Sequence, residues 1–267
     1  MISYAQNFED VILARVFKGR ASGFYIDVGV WHPTIDSVTK HFYDLGWTGI
    51  NVEALPRQFD LIRQARPRDI NINAAVSTQV GPLRFHDFEG TGLSTSRTDY
   101  AEQHVTAGFG MAVLDVPTIS LKDVCEVHAH GKSIDFIKID VEGAEADVVE
   151  SGDWQTYRPA VVVVEATVPN SPKESFADWE PKILAADYLF CYFDGLNRWY
   201  VRQEDSHLRA AFYAPPNPFD HYNLARVVDL EHQVASLKRD AQQLRMAPES
   251  VPRALAAAVR RILRKLT

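Results

Sequence analysis

Long apolar runs are missing from this 267-residue chain. No segment approaches the ~18 consecutive apolar residues that a membrane-spanning helix needs. The Val-rich stretch Ala160–Val164 stops at Glu165. The first ten residues carry two acids and lack the basic start and apolar run of a secretory signal, so a cytoplasmic protein is expected. Cysteine is scarce. Cys125 and Cys191 lie far apart without metal-ligand spacing, which excludes a disulfide scaffold and leaves two reduced, packed thiols. Positive charge is also short: the net charge is −7. From Arg226 onward nine Lys/Arg stand against four Asp/Glu, so that segment is +5 and residues 1–225 are −12. An acidic body lacks the basic footprint of nucleic-acid binding, and no nucleic-acid partner is expected. Small molecules, cations and neutral substrates stay open.

What is present is alternation. Short strand-like runs at Phe24–Val28, Gly49–Val52, Ile70–Val76, Ile134–Ile139 and Pro159–Val164 alternate with helix-like segments at Asp36–Leu45, Pro56–Arg66, Ala144–Ser151 and Ala177–Ala186. Asp36 is read as a helix cap and Pro56 as a first-turn proline. Leu189–Phe193 and Arg198–Val201, joined by a turn at residues 194–197, read as a closing antiparallel pair. This rhythm predicts an α/β domain with a mainly parallel sheet. Residues 80–120 break it, with an extra strand expected at Leu83–Phe88 and a mobile Gly/Ser/Thr-rich loop at Glu89–Gly110.

In open α/β sheets ligands bind beyond the carboxyl ends of the strands. Acids gather there: Asp27 on the first strand, Glu53 on the second, Asp140 and Glu142 on the fourth, and Glu165 on the Val-rich one. Strand-end acids also cap helices, so each has a structural alternative. The first turn, Asp27-Val-Gly29-Val-Trp31-His32-Pro33, offers one glycine where a dinucleotide site offers three. Glu53 follows Gly29 by 24 residues, near the offset of a ribose-binding acid. Adenosine without a pyrophosphate fits both facts. S-adenosylmethionine is such a ligand, and its sulfonium and ammonium suit an acidic rim.

The stretch Asp135-Phe-Ile-Lys-Ile-Asp140-Val-Glu142-Gly143-Ala-Glu145 resembles the signature of the FkbM-type methyltransferases. Phe24-Tyr-Ile-Asp27-Val-Gly29, Gly49-Ile-Asn-Val-Glu53, Asn73-Ala74-Ala75-Val-Ser and Arg158-Pro159 follow that family's order and spacing. The opening Ser3-Tyr-Ala-Gln6-Asn7-Phe-Glu9-Asp10 resembles a branch found with bacterial surface-polysaccharide genes. The likeness covers residues 1–202. It implies a class I, Rossmann-like methyltransferase fold, a mainly parallel seven-stranded sheet with helices on both faces. It also implies S-adenosylmethionine as donor and often a sugar hydroxyl as acceptor. Carried onto these positions, it makes Gln6, Asp27, Gly29, Glu53, Asn73, Ala74 and Asp140 the cofactor-binding candidates. The departure is Val30-Trp31-His32-Pro33, where many members have Ala, Asn and a second Gly.

Methyl transfer to a hydroxyl needs alignment and a base. Asp140, Glu142 and His32 are the catalytic candidates, with Glu165 and His86 behind them. Asp140 has an alternative role at the methionine ammonium. Glu142 can sit at a helix N-terminus, Asn7 can cap a helix over Val11–Phe17, and His32 can be solvated. A divalent metal is possible but not predicted, because no compact ligand motif is present. The other functions weighed are a non-catalytic scaffold that kept the fold and a nucleotide-dependent oxidoreductase or epimerase. The methyltransferase domain is placed at 1–225 and a helical tail at 226–267. In the tail Val227, Leu230, Val234, Leu237, Ala241 and Leu244 follow 3,4 spacing, which suggests self-association into a homo-oligomer. After Pro248 and Pro252, apolar Leu255, Val259, Ile262, Leu263 and Leu266 oppose basic Arg260, Arg261, Arg264 and Lys265. That pattern suggests peripheral contact with the inner membrane face.

Overall fold

A computed structural model describes residues 1–246. Seven strands form one sheet: β1 (Phe24–Val28), β2 (Thr48–Glu53), β3 (Ile70–Asn73), β4 (Phe136–Ile139), β5 (Val161–Glu165), β6 (Tyr188–Phe193) and β7 (Asn197–Arg202). Their spatial order is β6-β7-β5-β4-β1-β2-β3. The five strands from β5 to β3 run parallel, whereas β7 is antiparallel to both β5 and β6. The sheet is therefore mixed, a parallel body closed by the hairpin expected at residues 189–201.

Period-two alternation sorts each strand onto two buried faces. Ile26, Val28, Ile50, Val52, Ile137, Ile139, Val162 and Val164 join one core with Val124, Val148 and Ile183 from flanking helices. Tyr25, Phe136, Val161, Val163 and Trp199 join the other with Ile12, Leu13, Phe17, Phe42 and Trp47. Because both faces are covered, β5 can be almost pure valine. The second face also carries a polar row, since the register sets Asn71, Asn51, Asp27 and Lys138 side by side.

Three expectations need correction. The helix predicted from Asp36 begins only at Lys40. Asp36 is no cap but a left-handed residue with φ 50°, because residues 33–39 are tied to a buried Arg66. Its guanidinium donates to the carbonyl of Pro33 and the hydroxyls of Ser37 and Thr39. The single strand predicted over Ile70–Val76 is two pieces, the second (Ala75–Val76) pairing with Thr118–Ile119. The loop predicted at Glu89–Gly110 contains a helix, Thr98–Thr106. The flanking Leu83–Asp87 and Ala112–Val116 pair as an antiparallel ribbon. The sequence reading gave no partner for the first of these.

Tyr4–His221 forms one unit, and Met1–Ser3 forms another with the described residues from Tyr222 to Met246. In that second unit Ile2–Ser3 pairs in parallel with Asn223–Leu224, and a helix runs over Ala225–Met246. Its Val227, Leu230, Val234 and Leu237 are exposed and Ala241 is buried. The Leu244 side chain and the basic segment beyond Pro248 lie outside the described residues. No described helix is long and apolar enough to cross a membrane.

Candidate active site

The carboxyl ends of β1, β2, β4 and β5 open into a cleft of about 360 Å³, within the size range of small-molecule sites. Five acids line it (Asp36, Glu53, Asp140, Glu142 and Glu165) against a single basic residue, Lys138. Gln6, Gly29 and Ala74 line it too, as do Leu93, Ser94 and Ser96 from the segment between the two ribbon strands.

Gly29 ends β1 with φ 80°. A Cβ there would lie 1.8 Å from the Asp140 carbonyl oxygen, so the tips of β1 and β4 close only around a glycine. The Gly29 carbonyl accepts from Lys138 Nζ at 2.9 Å. Lys138 also stands 3.2 Å from Asp140 and 3.9 Å from Asp27. Burial alone would lower the Lys138 pKa, but Asp140 and Asp27 more than reverse that and it is raised. Glu53 turns one oxygen to the Trp31 N–H and the other to the Leu55 N–H, each at 2.9 Å. It is raised by burial even so, those two bonds opposing the shift. Trp31 has φ 54°, and its indole N–H is buried without a partner.

The loop after β4 is the most charged part of the cleft. Glu142 has φ 53° and Gly143 φ 93°. The turn is held from below by Glu145, whose Oε1 accepts the N–H groups of Val141 and Gly143 at 3.0 and 3.1 Å. From above, Thr95 donates its hydroxyl to the Glu142 carbonyl at 2.8 Å. Burial, then the charges of Asp140 and Glu145, push Glu142 up to about 9. Burial leads again at Glu145, pushed up to about 7, and at Glu165, raised well above its ordinary value. Such a set ionises fully only with a cation beside it.

Four candidates do not line the cleft. Asp27 is buried beneath it, accepting the Thr39 hydroxyl at 2.7 Å and facing Lys138. Burial raises its pKa, with Lys138 opposing. It is a foundation for the β1 and β4 tips, not a surface presented to a ligand. Asn73 spends its side-chain amide on the carbonyls of Glu53 and Ala54, fixing the β2 tip. His32 turns its Nδ1 back on its own loop to accept the N–H groups of Thr34 and Ile35 at 3.1 and 2.9 Å. His86 sits on the ribbon, also outside the lining, with its Nε2 3.4 Å from the Thr98 hydroxyl. Asn7 caps no helix, since Phe8 holds that position, and its amide donates to the Asp194 carbonyl at 3.4 Å. Asp140, Glu142 and Glu165 remain together at the cleft. Sequence reasoning missed Lys138 and Glu145, although both flank the strand-end acids in the Lys-Ile-Asp-Val-Glu-Gly-Ala-Glu string.

Residues 26–190, more than half of the chain, match the Methyltransferase FkbM domain. The chain belongs to the FkbM methyltransferase family. No curated protein gives a significant match. Among solved structures, a TehB-like methyltransferase from Corynebacterium glutamicum shares 9% identity over 73% of this chain and 87% of that one, at a TM-score of 0.40. Fibrillarin from Aeropyrum pernix, solved with bound S-adenosylmethionine, shares 13% over 67% and 66%, at 0.37. An O-methyltransferase from Bacillus cereus, solved with S-adenosylhomocysteine, shares 12% over 76% and 83%, at 0.33.

The residues present fit S-adenosylmethionine, the donor expected from the sequence. The Gly29 turn leaves no Cβ between the strand tips, the Trp31 indole N–H has no protein partner, and the lining is acidic. Glu53, Gly29 and Asp140, at the ends of β2, β1 and β4, line this one cleft.

Proposed function

We propose that this family member methylates a hydroxyl oxygen, and that its acceptor is a sugar of a surface glycan. The observation that carries the reading is the acidic, left-handed turn at Asp140–Glu142 facing the Gly29 turn across one cleft. The bound cofactor supplies a methyl carbon on a positively charged sulfur. Glu53, Gly29 and Asp140 hold and orient it. Glu142 would take the hydroxyl proton as the acceptor oxygen gained the methyl group, and the C–S electron pair would remain on the cofactor's sulfur. Gln6, a cofactor-binding candidate, lines the same cleft, and the Leu93–Ser96 segment that also lines it is assigned to the acceptor. The acid-rich lining favours a neutral or cationic acceptor over a phosphorylated one.

Titration calorimetry with S-adenosylmethionine tests the donor, and transfer of a labelled methyl group to a panel of glycosides and glycolipids tests the acceptor. One cofactor per chain and base-stable labelling of a sugar are expected. In the same assays Glu53→Ala should lose cofactor binding, while Glu142→Gln should bind normally and turn over at least a hundredfold more slowly. Labelling of nitrogen or carboxyl acceptors only, or equal loss of binding in both variants, would overturn the assignment.

A further inference from the structure

At the cleft wall, Asp140, Glu145 and Glu165 each offer a carboxylate oxygen, and these three oxygens lie within 4.8 Å of one another. They come from three different elements: the end of β4, the helix that follows it (Glu145–Glu150) and the end of β5. Glu145 and Glu165 are buried, at 3% and 7% exposure. Glu165 Oε2 is a buried oxygen without a hydrogen-bond partner, on a side chain that lines the cleft. Glu145 uses only Oε1 to hold the backbone turn. Lys138 reaches Asp140 alone of the three. An unpartnered oxygen on a side chain more than nine-tenths buried is a costly feature unless something cationic sits against it.

We infer that Asp140, Glu145 and Glu165 form a binding site for one hard divalent cation such as Mn²⁺, Mg²⁺ or Ca²⁺, a site that shares only Asp140 with the proposed cofactor contacts. Three considerations favour a metal ion. All-carboxylate oxygen donors select hard divalent cations over softer metals. Oxygens bound at about 2.1–2.5 Å to a common ion are at most about 4–5 Å apart, which is the spacing observed. The position is on the far side of β4 from Glu53. Adjacent strands are about 4.8 Å apart, so β5 lies roughly 14 Å from β2. A cofactor spanning β2, β1 and β4 leaves the β4–β5 gap to the acceptor.

In the O-methyltransferase reading, on which the catalytic part of this inference rests, an ion there presents open coordination positions to the acceptor hydroxyl or a vicinal diol and acidifies it. Glu142 then takes the proton, and the balance of bonds is unchanged from that given above. The binding part stands without that reading.

The test uses the full chain, Mn²⁺ as the probe, and electron paramagnetic resonance of free Mn²⁺ as the readout. One Mn²⁺ per chain is expected, with at least tenfold weaker binding in Glu165→Gln and in Glu145→Gln. Glu165→Gln removes an unpartnered charge, so it should stay folded. Glu145→Gln keeps an oxygen for the turn. Mn²⁺ should also raise the midpoint of thermal unfolding in the wild type and leave that of Glu165→Gln unmoved. Saturating S-adenosylhomocysteine, which carries the ammonium but no transferable methyl, should leave the Mn²⁺ site intact. Absent binding at millimolar Mn²⁺, binding insensitive to both variants, or displacement of Mn²⁺ by S-adenosylhomocysteine would refute the site. Displacement would identify the triad as the ammonium cradle. Cofactor titration in EDTA separates the two ideas: cofactor binding without a Mn²⁺ site removes only the metal, and a Mn²⁺ site without cofactor binding removes only the proposed function.

Discussion

The junction of the β1 and β4 tips gives a prediction whose size can be worked out. Gly29→Ala meets two separate obstacles. Its backbone sits at φ 80°, where an L side chain costs about 1–2 kcal/mol. Its Cβ would stand 1.8 Å from the Asp140 carbonyl oxygen and 2.9 Å from the carbonyl carbon. Those atoms are backbone and cannot swing aside, so the strands must part, at about 1–3 kcal/mol. The total is about 2–5 kcal/mol. Gly46→Ala isolates the first obstacle, because Gly46 has φ 95° and nothing within 4 Å of its would-be Cβ. It should lose about 1–2 kcal/mol. With a urea m-value of roughly 3 kcal/mol per M, the midpoints should fall by about 1 M for Gly29→Ala and about 0.5 M for Gly46→Ala. Tryptophan fluorescence follows the transition. Stabilisation by S-adenosylmethionine should persist in Gly46→Ala and vanish in Gly29→Ala. Equal midpoint losses in the two variants would show that the strand tips are not in tight backbone contact, and the account of Gly29 would fall.

Three further outcomes follow from the same geometry. Glu53→Gln presents an NH₂ group to one of the two backbone N–H groups that Glu53 now satisfies, so it should cost about 1–3 kcal/mol in thermal unfolding and weaken cofactor binding in calorimetry. Arg66→Met strands the loop at residues 33–39 and leaves buried Asp69 without its 3.9 Å cation, which should cost about 3–5 kcal/mol in urea unfolding. Glu9 is buried and pushed up to about 7, by burial first and Asp194 after, from an ordinary 4.5. Its folded-state proton therefore makes folding less favourable as pH rises from 4.5 to 7, with a plateau above, by about 3 kcal/mol. The stability of Glu9→Gln relative to the wild type should rise across that window and stay level beyond it, and a flat difference would contradict the burial argument.

Much of the fold was legible because its physical causes are local. β5 shows itself as consecutive valines since both of its faces are covered, and the Asp194–Asn197 turn separates two strands that pair as a hairpin. The Leu83–Asp87 ribbon was harder. Its partner, Ala112–Val116, comes 24 or more residues later and is largely exposed, so no apolar alternation marks it. The late start of the helix at Lys40 was invisible for the same reason: Arg66, distant in sequence, holds residues 33–39 in an irregular path. Asp140, Glu142 and Glu53, singled out from the strand ends, do line one cleft. Asp27 lies one layer deeper, on the face it shares with Tyr25 and against Lys138, outside the residues that line the cleft.

The choice between structural and functional acids proves to be a false one at two of these positions. Glu53 fixes the left-handed Trp31 turn through backbone N–H groups and also lines the cleft. Glu145 fixes the left-handed Glu142 turn through Oε1 and also brings a carboxylate oxygen within 4.8 Å of Asp140 and Glu165. Left-handed backbone at Trp31 and Glu142 costs of order 1–3 kcal/mol at each and persists only where the surroundings over-determine it. Here the over-determination comes from the carboxylates themselves. Each acid that shapes a turn does so by accepting N–H bonds, which leaves lone pairs and negative charge aimed at whatever the turn surrounds. A scaffold with no ligand would gain stability by replacing these acids and relaxing the turns to glycine. Their joint presence in one cleft, with Glu165 Oε2 unpartnered beside them, is therefore an argument for cationic ligands and not for capping alone.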